Sequence, residues 1–213
     1  MTGIEIALIM MGTRALIKAL AGKPDSVQEN KPPPVVEDSI CLVGRTGSGK
    51  SSTGNALLNK EFFLVGVEHG STQSSIVTEY KNGYKIIDTP GLLDERNYEN
   101  EVLYQIQRSK IIVYVTSGQL YREELDFLKK VKQIYFTNRH KLLLFVNKQD
   151  ETEHFMPSIQ RLTMREKVIN QVSEYISKES VVFGSASPSF NGVKTFSNVS
   201  ELISKLDNYI THE

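Results

Sequence analysis

The 213 residues carry 25 lysines and arginines against 25 aspartates and glutamates, so no global field draws the chain to nucleic acid, and no nucleic-acid partner is expected. The single cysteine, Cys41, excludes an internal disulfide framework and a cysteine-rich zinc site, which suits a reducing compartment such as the cytoplasm or a cytoplasm-facing surface. The length allows one good core with a short appendage, and no apolar run reaches the roughly 20 residues of a spanning helix.

Residues 3–21 lack proline and are rich in Ile, Leu, Ala and Met, and Gly22 and Pro24 follow as stop signals. That predicts a helix over 1–22. A secretory leader places its positive charge ahead of the apolar stretch. Here Glu5 precedes it while Arg14 and Lys18 follow, so the N-terminus is expected to be retained. Apolar residues spread around the helix, so it should not stand free in water. It packs on the next domain, meets a protein partner, or lies in an intracellular membrane interface with Arg14 and Lys18 at the headgroups. Pro32, Pro33 and Pro34 forbid helix, which makes 23–37 a linker to a domain over 38–213.

A buried strand is predicted at 39–43, a helix at 50–58, and strands at 74–80 and 84–88 joined as a hairpin by Asn82-Gly83. Strands at 110–116 and 141–147 are almost continuously apolar, as when helices cover both faces of a sheet. Between them, Leu125, Leu128, Val131 and Ile134 fall at helical spacing. A helix over 158–177, a short strand at 181–183 and a helix over 199–210 complete the layout. The sum is a three-layer α/β fold with a mostly parallel, six-stranded sheet.

Three motifs fall at strand ends. Gly44-Arg45-Thr46-Gly47-Ser48-Gly49-Lys50-Ser51 matches G-x-x-x-x-G-K-[ST] between a strand and a helix. Its glycines let backbone N–H groups wrap phosphates, and the helix after it points its positive end at the anion. Lys50 should bridge the β- and γ-phosphates and Ser51 should ligate Mg²⁺; Ser52 completes the expected phosphate-side set. Asp88-Thr89-Pro90-Gly91 ends the strand 84–88, where Asp88 should hold Mg²⁺ and the Gly91 N–H should sense the γ-phosphate. Asn147-Lys148-Gln149-Asp150 follows the strand 141–147. The Asp150 carboxylate can accept both donors of guanine, a pair that adenine lacks, so it selects GTP and GDP. Lys148 can lay its stem over the base, and Asn147 can tie this loop to the phosphate loop.

Thr72 is the expected mobile threonine that closes on Mg²⁺ and the γ-phosphate, with Ser71, Ser74 and Ser75 as competitors. Ser185-Ala186-Ser187, after the last short strand, looks like the Ser-Ala loop whose backbone N–H approaches guanine O6, although such pairs also occur in ordinary turns. Leu92 stands where many small GTPases have the glutamine that orients water. Intrinsic hydrolysis is therefore expected to be slow, or completed by a second molecule. Arg45, Arg96 and Arg122 lie near the nucleotide face, but a solvated surface role is the default for each.

Gly47-Ser48-Gly49-Lys50-Ser51-Ser52-Thr53-Gly54-Asn55-Ala56-Leu57-Leu58, followed by Asp88-Thr89-Pro90-Gly91-Leu92-Leu93-Asp94, resembles the septin-related immunity-associated (GIMAP, avirulence-induced) GTPases over about 38–211. The chloroplast-envelope Toc GTPases are a poorer match. The resemblance implies GTP-dependent dimerisation or oligomerisation across the nucleotide face, often on intracellular membranes. Asn147-Lys148-Gln149-Asp150 departs from the family's Thr-Arg-Lys-Asp type, and its arginine ahead of a Tyr-Thr-Glu-Glu run has no clear counterpart at Tyr121-Arg122-Glu123-Glu124. Two other functions remain open: a nucleotide-loaded scaffold that scarcely hydrolyses, and a ribosome-associated GTPase of the Era or EngB kind.

Overall fold

The computed structural model describes residues 35–65, 74–92, 98–138, 140–153, 156–187, 189–190, 193–194 and 198–211. The expected helix over 1–22 and the linker up to residue 34 lie outside them.

The elements are β1 (Glu37–Val43), α1 (Lys50–Leu58), β2 (Ile76–Glu79), β3 (Lys85–Asp88), α2 (Glu99–Arg108), β4 (Ser109–Thr116) and α3 (Arg122–Asn138). They continue with β5 (Lys141–Val146), α4 (Gln149–Glu153), α5 (Ser158–Val172), β6 (Val181–Phe183), β7 (Ser189–Phe190), β8 (Val193–Lys194) and α6 (Ser200–Thr211). The main sheet has six strands in the order β2-β3-β1-β4-β5-β6. All its pairs are parallel except β2 with β3, where Thr78 stands opposite Ile86. The hairpin turn is closed by Tyr84 N–H donating to the Lys81 carbonyl at 3.1 Å, with Asn82 (φ 56°) and Gly83 (φ 78°) both left-handed. Asn and Gly tolerate that backbone where other residues clash.

Alternation along each strand divides the core. Cys41, Val43, Ile112, Tyr114, Leu142 and Leu144 face Val102 and Ile106 of α2, Leu128 and Val131 of α3, and Val168 and Val172 of α5. Ile40, Leu42, Ile111, Val113, Leu143 and Phe145 face Leu57 of α1 and Leu202 and Leu206 of α6. Helices on both faces make the expected three layers, and each fully buried aliphatic side chain contributes up to about 1.5–3 kcal/mol.

Helix α2 was not expected. It buries Val102 and Ile106 and packs Leu103 on the same core, a helical stripe of little more than one turn, short beside the other periodic segments. Helix α5 ends five residues before the predicted 177, where Tyr175 and Ile176 N–H groups both turn back to the Val172 carbonyl. The β7–β8 hairpin has strands too short to show alternation.

His140, at the foot of β5, is 2 % exposed, and neither ring nitrogen is hydrogen-bonded. Burial holds its imidazole below the ordinary pKa. The unfolded chain therefore takes up this proton first as pH falls, and stability is lost from about pH 6.5 down to the depressed folded value. His140→Leu is expected to flatten that loss. Urea midpoints at about pH 5.5 and 7.5 should lie closer together in the variant than in the parent; equal gaps would exclude His140 as the source.

Candidate nucleotide site

The phosphate-type loop runs from the end of β1 to the start of α1. Gly49 immediately precedes the helix with φ 95°, and a Cβ there would lie 2.2 Å from Asn147 Nδ2. At Gly44 a Cβ would lie 2.1 Å from the Val115 carbonyl oxygen. Lys50 is 7 % exposed and curls back so that Nζ donates to the Arg45 carbonyl at 3.2 Å. The Thr46 and Ser48 hydroxyls are buried without a protein partner. No acidic residue occupies the first turn of α1, so its positive end is not neutralised. This glycine-walled cradle, with orphaned hydroxyls and a buried ammonium, fits a polyphosphate.

Ser51 and Asp88 meet at the ends of α1 and β3. The Ser51 hydroxyl donates to Asp88 Oδ2 at 2.7 Å, and Asp88 is fully buried. A hydroxyl beside a carboxylate is a hard oxygen donor set that fits Mg²⁺, which takes few protein ligands and completes its shell with phosphate and water. Among the described residues there is no cluster of three acidic, histidine or cysteine side chains that would suit another metal.

The turn after Asp88 is pinned to the phosphate loop. Leu92 N–H donates to the Gly44 carbonyl at 3.0 Å, and Thr46 N–H donates to the Leu92 carbonyl at 3.3 Å. A Cβ on Gly91 would lie 1.9 Å from Thr46 Oγ1. The Leu92 side chain is 4 % exposed and packs in the core with Val43, Val102 and Ile106. It is thus doubly unsuited to orienting water, being apolar and facing inward.

Asn147 joins the two ends of the site. It is 3 % exposed; Nδ2 donates to the Ser48 carbonyl at 3.1 Å, and Oδ1 accepts from Ala186 N–H at 2.9 Å. Lys148 adopts φ 61°, and Asp150 N–H donates to Ser185 Oγ at 2.9 Å. A polar cavity of about 190 Å³ is lined by Gly49, Ser52, Asn147, Lys148, Asp150 and Ser187. The Ala186 N–H meets the buried Asn147 oxygen, which needs a donor, and Ser187 of the same loop lines the cavity.

Thr72, Ser71 and Arg96 lie outside the described residues. Of the competitors, Ser74 is exposed, and Ser75 is engaged, its N–H and Oγ both donating to Glu101 Oε1 at 2.8 and 2.7 Å. Arg45 is not simply solvated, because its guanidinium stacks 4.5 Å above the Tyr121 ring. Arg122, beside it, is exposed. The Thr53-Gly54-Asn55 string has a structural purpose that spacing did not show. Asn55 Oδ1 accepts from Phe62 and Phe63 N–H, its Nδ2 donates to the Phe63 carbonyl, and a Cβ on Gly54 would strike the Phe63 ring at 2.5 Å. The string docks the chain leaving α1.

A mostly parallel sheet with a phosphate-type loop after β1, an aspartate ending β3 and Asn-Lys-x-Asp after β5 defines a P-loop GTPase domain. The chain belongs to the AIG1 family, whose profile matches residues 38–206. It is similar to GTPase Der of Lacticaseibacillus casei, 30% identical over 168 residues that cover 71% of this chain and 37% of that protein. Immune-associated nucleotide-binding protein 4 of Arabidopsis thaliana is 46% identical over 61 residues, 26% of this chain and 19% of that protein. The chain spans about a third of the length of the first of the curated relatives it matches, 35% for GTPase Der of Ureaplasma parvum. Among solved structures, Era of Aquifex aeolicus bound to GDP and AlF4⁻ superposes with a TM-score of 0.62 at 18% identity, covering 82% of this chain and 57% of that one. Toc33 of Arabidopsis thaliana, in a dimerisation-deficient mutant form, does so with 0.56 at 16% identity, covering 82% and 84%. These two likenesses bear on the fold.

Proposed function

We propose that the protein binds Mg²⁺·GTP and works as a switch that assembles through its nucleotide face and hydrolyses GTP when assembled. The observation that carries this reading is Asn147, which makes the phosphate cradle and the base-reading loop one continuous site. Lys50 and the loop amides hold the phosphates, Ser51 and Asp88 hold Mg²⁺, and Asp150 reads guanine. Mg²⁺, when bound, supplies charge neutralisation for phosphoryl transfer. Thr72 is the proposed closing residue, and the cytoplasm or a cytoplasm-facing membrane is the proposed location.

Since Leu92 is sequestered in the core, hydrolysis needs a group from elsewhere. Dimerisation is important for the GTPase activity of Toc33, a protein of similar fold. In this chain Arg122 is exposed beside Tyr121, which stacks on the phosphate-loop residue Arg45. An arginine supplied in trans can raise the rate about 10³–10⁵-fold. Single-turnover hydrolysis should therefore rise with protein concentration in the parent and stay flat in Arg122→Ala. Light scattering should give a larger particle with a non-hydrolysable GTP analogue than with GDP. A flat, near-background rate in the parent would favour the second reading, a nucleotide-loaded scaffold, for which buried Leu92 is the motive. Residues 3–21 are proposed as a contact for a membrane or protein partner. Equal liposome partitioning with and without residues 1–22 would exclude the membrane.

A further inference from the structure

Two loops frame the proposed base pocket, one after β5 carrying Asn147–Asp150 and one after β6 carrying Ser185–Ser187. Ala186 N–H to Asn147 and Asp150 N–H to Ser185 join them beside the polar cavity. Arg165 of α5 joins them a second time, from another side. Its Nε and Nη2 both donate to the Glu153 carboxylate at 2.7 Å, and its guanidinium lies 4.9 Å over the Phe183 ring. Glu153 closes α4, a single helical turn that also contains Asp150. Phe183 is the last residue of β6 and leads directly into Gly184-Ser185. A small, largely apolar cavity of about 40 Å³ lies here, lined in part by Val146, Gln149, Met164, Val168 and Phe183, and it shares no lining residue with the polar one.

A carboxylate 8 % exposed needs a partner that meets both its oxygens, and the guanidinium fork does so bidentately. The same planar cation gains from the face of Phe183. Neither contact touches the nucleotide pocket. We infer that Arg165 is a positioning residue for guanine recognition, fixing the Asp150 turn through Glu153 and the Ser185 loop through Phe183. The inference rests on Asp150 being the base reader.

Inosine diphosphate separates positioning from general stability, because it keeps the ring N–H of guanine but lacks the exocyclic amine. Calorimetric titration of the full chain with GDP and with IDP measures the preference that Asp150 generates. Arg165→Met is expected to lower the GDP/IDP preference about tenfold, the scale of one charge-assisted hydrogen bond; IDP, which keeps the ring N–H bond to Asp150, weakens as well, but by a smaller factor than GDP. Arg165→Lys should resemble Arg165→Met, since a lysine keeps the charge but cannot form the fork. Glu153→Gln is nearly isosteric and carries the test should Arg165→Met fail to fold; it should shift the preference in the same direction. An unchanged preference, or equal losses for GDP and IDP, would overturn the inference. Asp150→Asn distinguishes the two layers. A parent with no GDP/IDP preference would refute base reading itself. A preference lost in Asp150→Asn but intact in Arg165→Met would refute only the positioning role.

Discussion

Asp150→Asn is expected to lower affinity for GDP about a hundredfold or more and to confer binding of xanthosine diphosphate. Guanine offers two donors, its ring N–H and its exocyclic amine, to which a carboxylate presents two acceptors. Asparagine presents one acceptor and one donor, which suits xanthine, where a carbonyl replaces the amine. Losing the charge-assisted bond to the amine costs about 1.5–3 kcal/mol, and setting the new amide donor against that amine leaves both donors unpaired at about 1–3 kcal/mol more, which together make the factor. The substitution alters this chemistry while leaving the backbone in place, because Asp150 is anchored by its own N–H to Ser185 Oγ. Competition between guanine and xanthine nucleotides measures the exchange. A variant that kept its full preference for GTP over xanthosine triphosphate would contradict the assignment.

Gly49→Ala is expected to abolish nucleotide binding and to destabilise the fold by about 2–5 kcal/mol. A left-handed residue costs about 1–2 kcal/mol once it has a Cβ. Here the new methyl would also lie 2.2 Å from Asn147 Nδ2. That amide has nowhere to retreat, since it is buried and bonded to both Ser48 and Ala186. Displacing it leaves buried polar groups unpaired, at about 1–3 kcal/mol more. Gly47→Ala is the comparison: φ is 80°, but a Cβ there meets nothing within 4 Å, so only the backbone strain remains. Urea unfolding and nucleotide titration of both variants check the difference. Parent-like binding by Gly49→Ala would refute the steric argument.

What was legible in the sequence follows from how local each signal is. Strands β4 and β5 read clearly because helices cover both their faces, leaving few polar residues to interrupt them. Helix α1 read clearly because the phosphate loop announces its start. Helix α2 did not, as Val102, Leu103 and Ile106, which span little more than one turn, carry its inward face. The residues of the site were legible by type and spacing, whereas the contacts that hold them were not. Asn147 with Ala186, Ser75 with Glu101, and Arg45 with Tyr121 are pairs far apart along the chain, and no periodicity encodes a meeting of that kind. Leu92 shows the same division. Its apolar character was evident at once, but only packing reveals that it serves the core.

Cys41 is the only cysteine in the sequence, and in β1 it is wholly buried. Burial pushes its thiol pKa far above the ordinary range. The native surface therefore presents no reactive thiol, and any cysteine introduced there will be chemically unique. A spin label attached to a cysteine placed at Arg122 or Tyr121 would report copy-to-copy distance across the nucleotide face, with no need to build a cysteine-free background first.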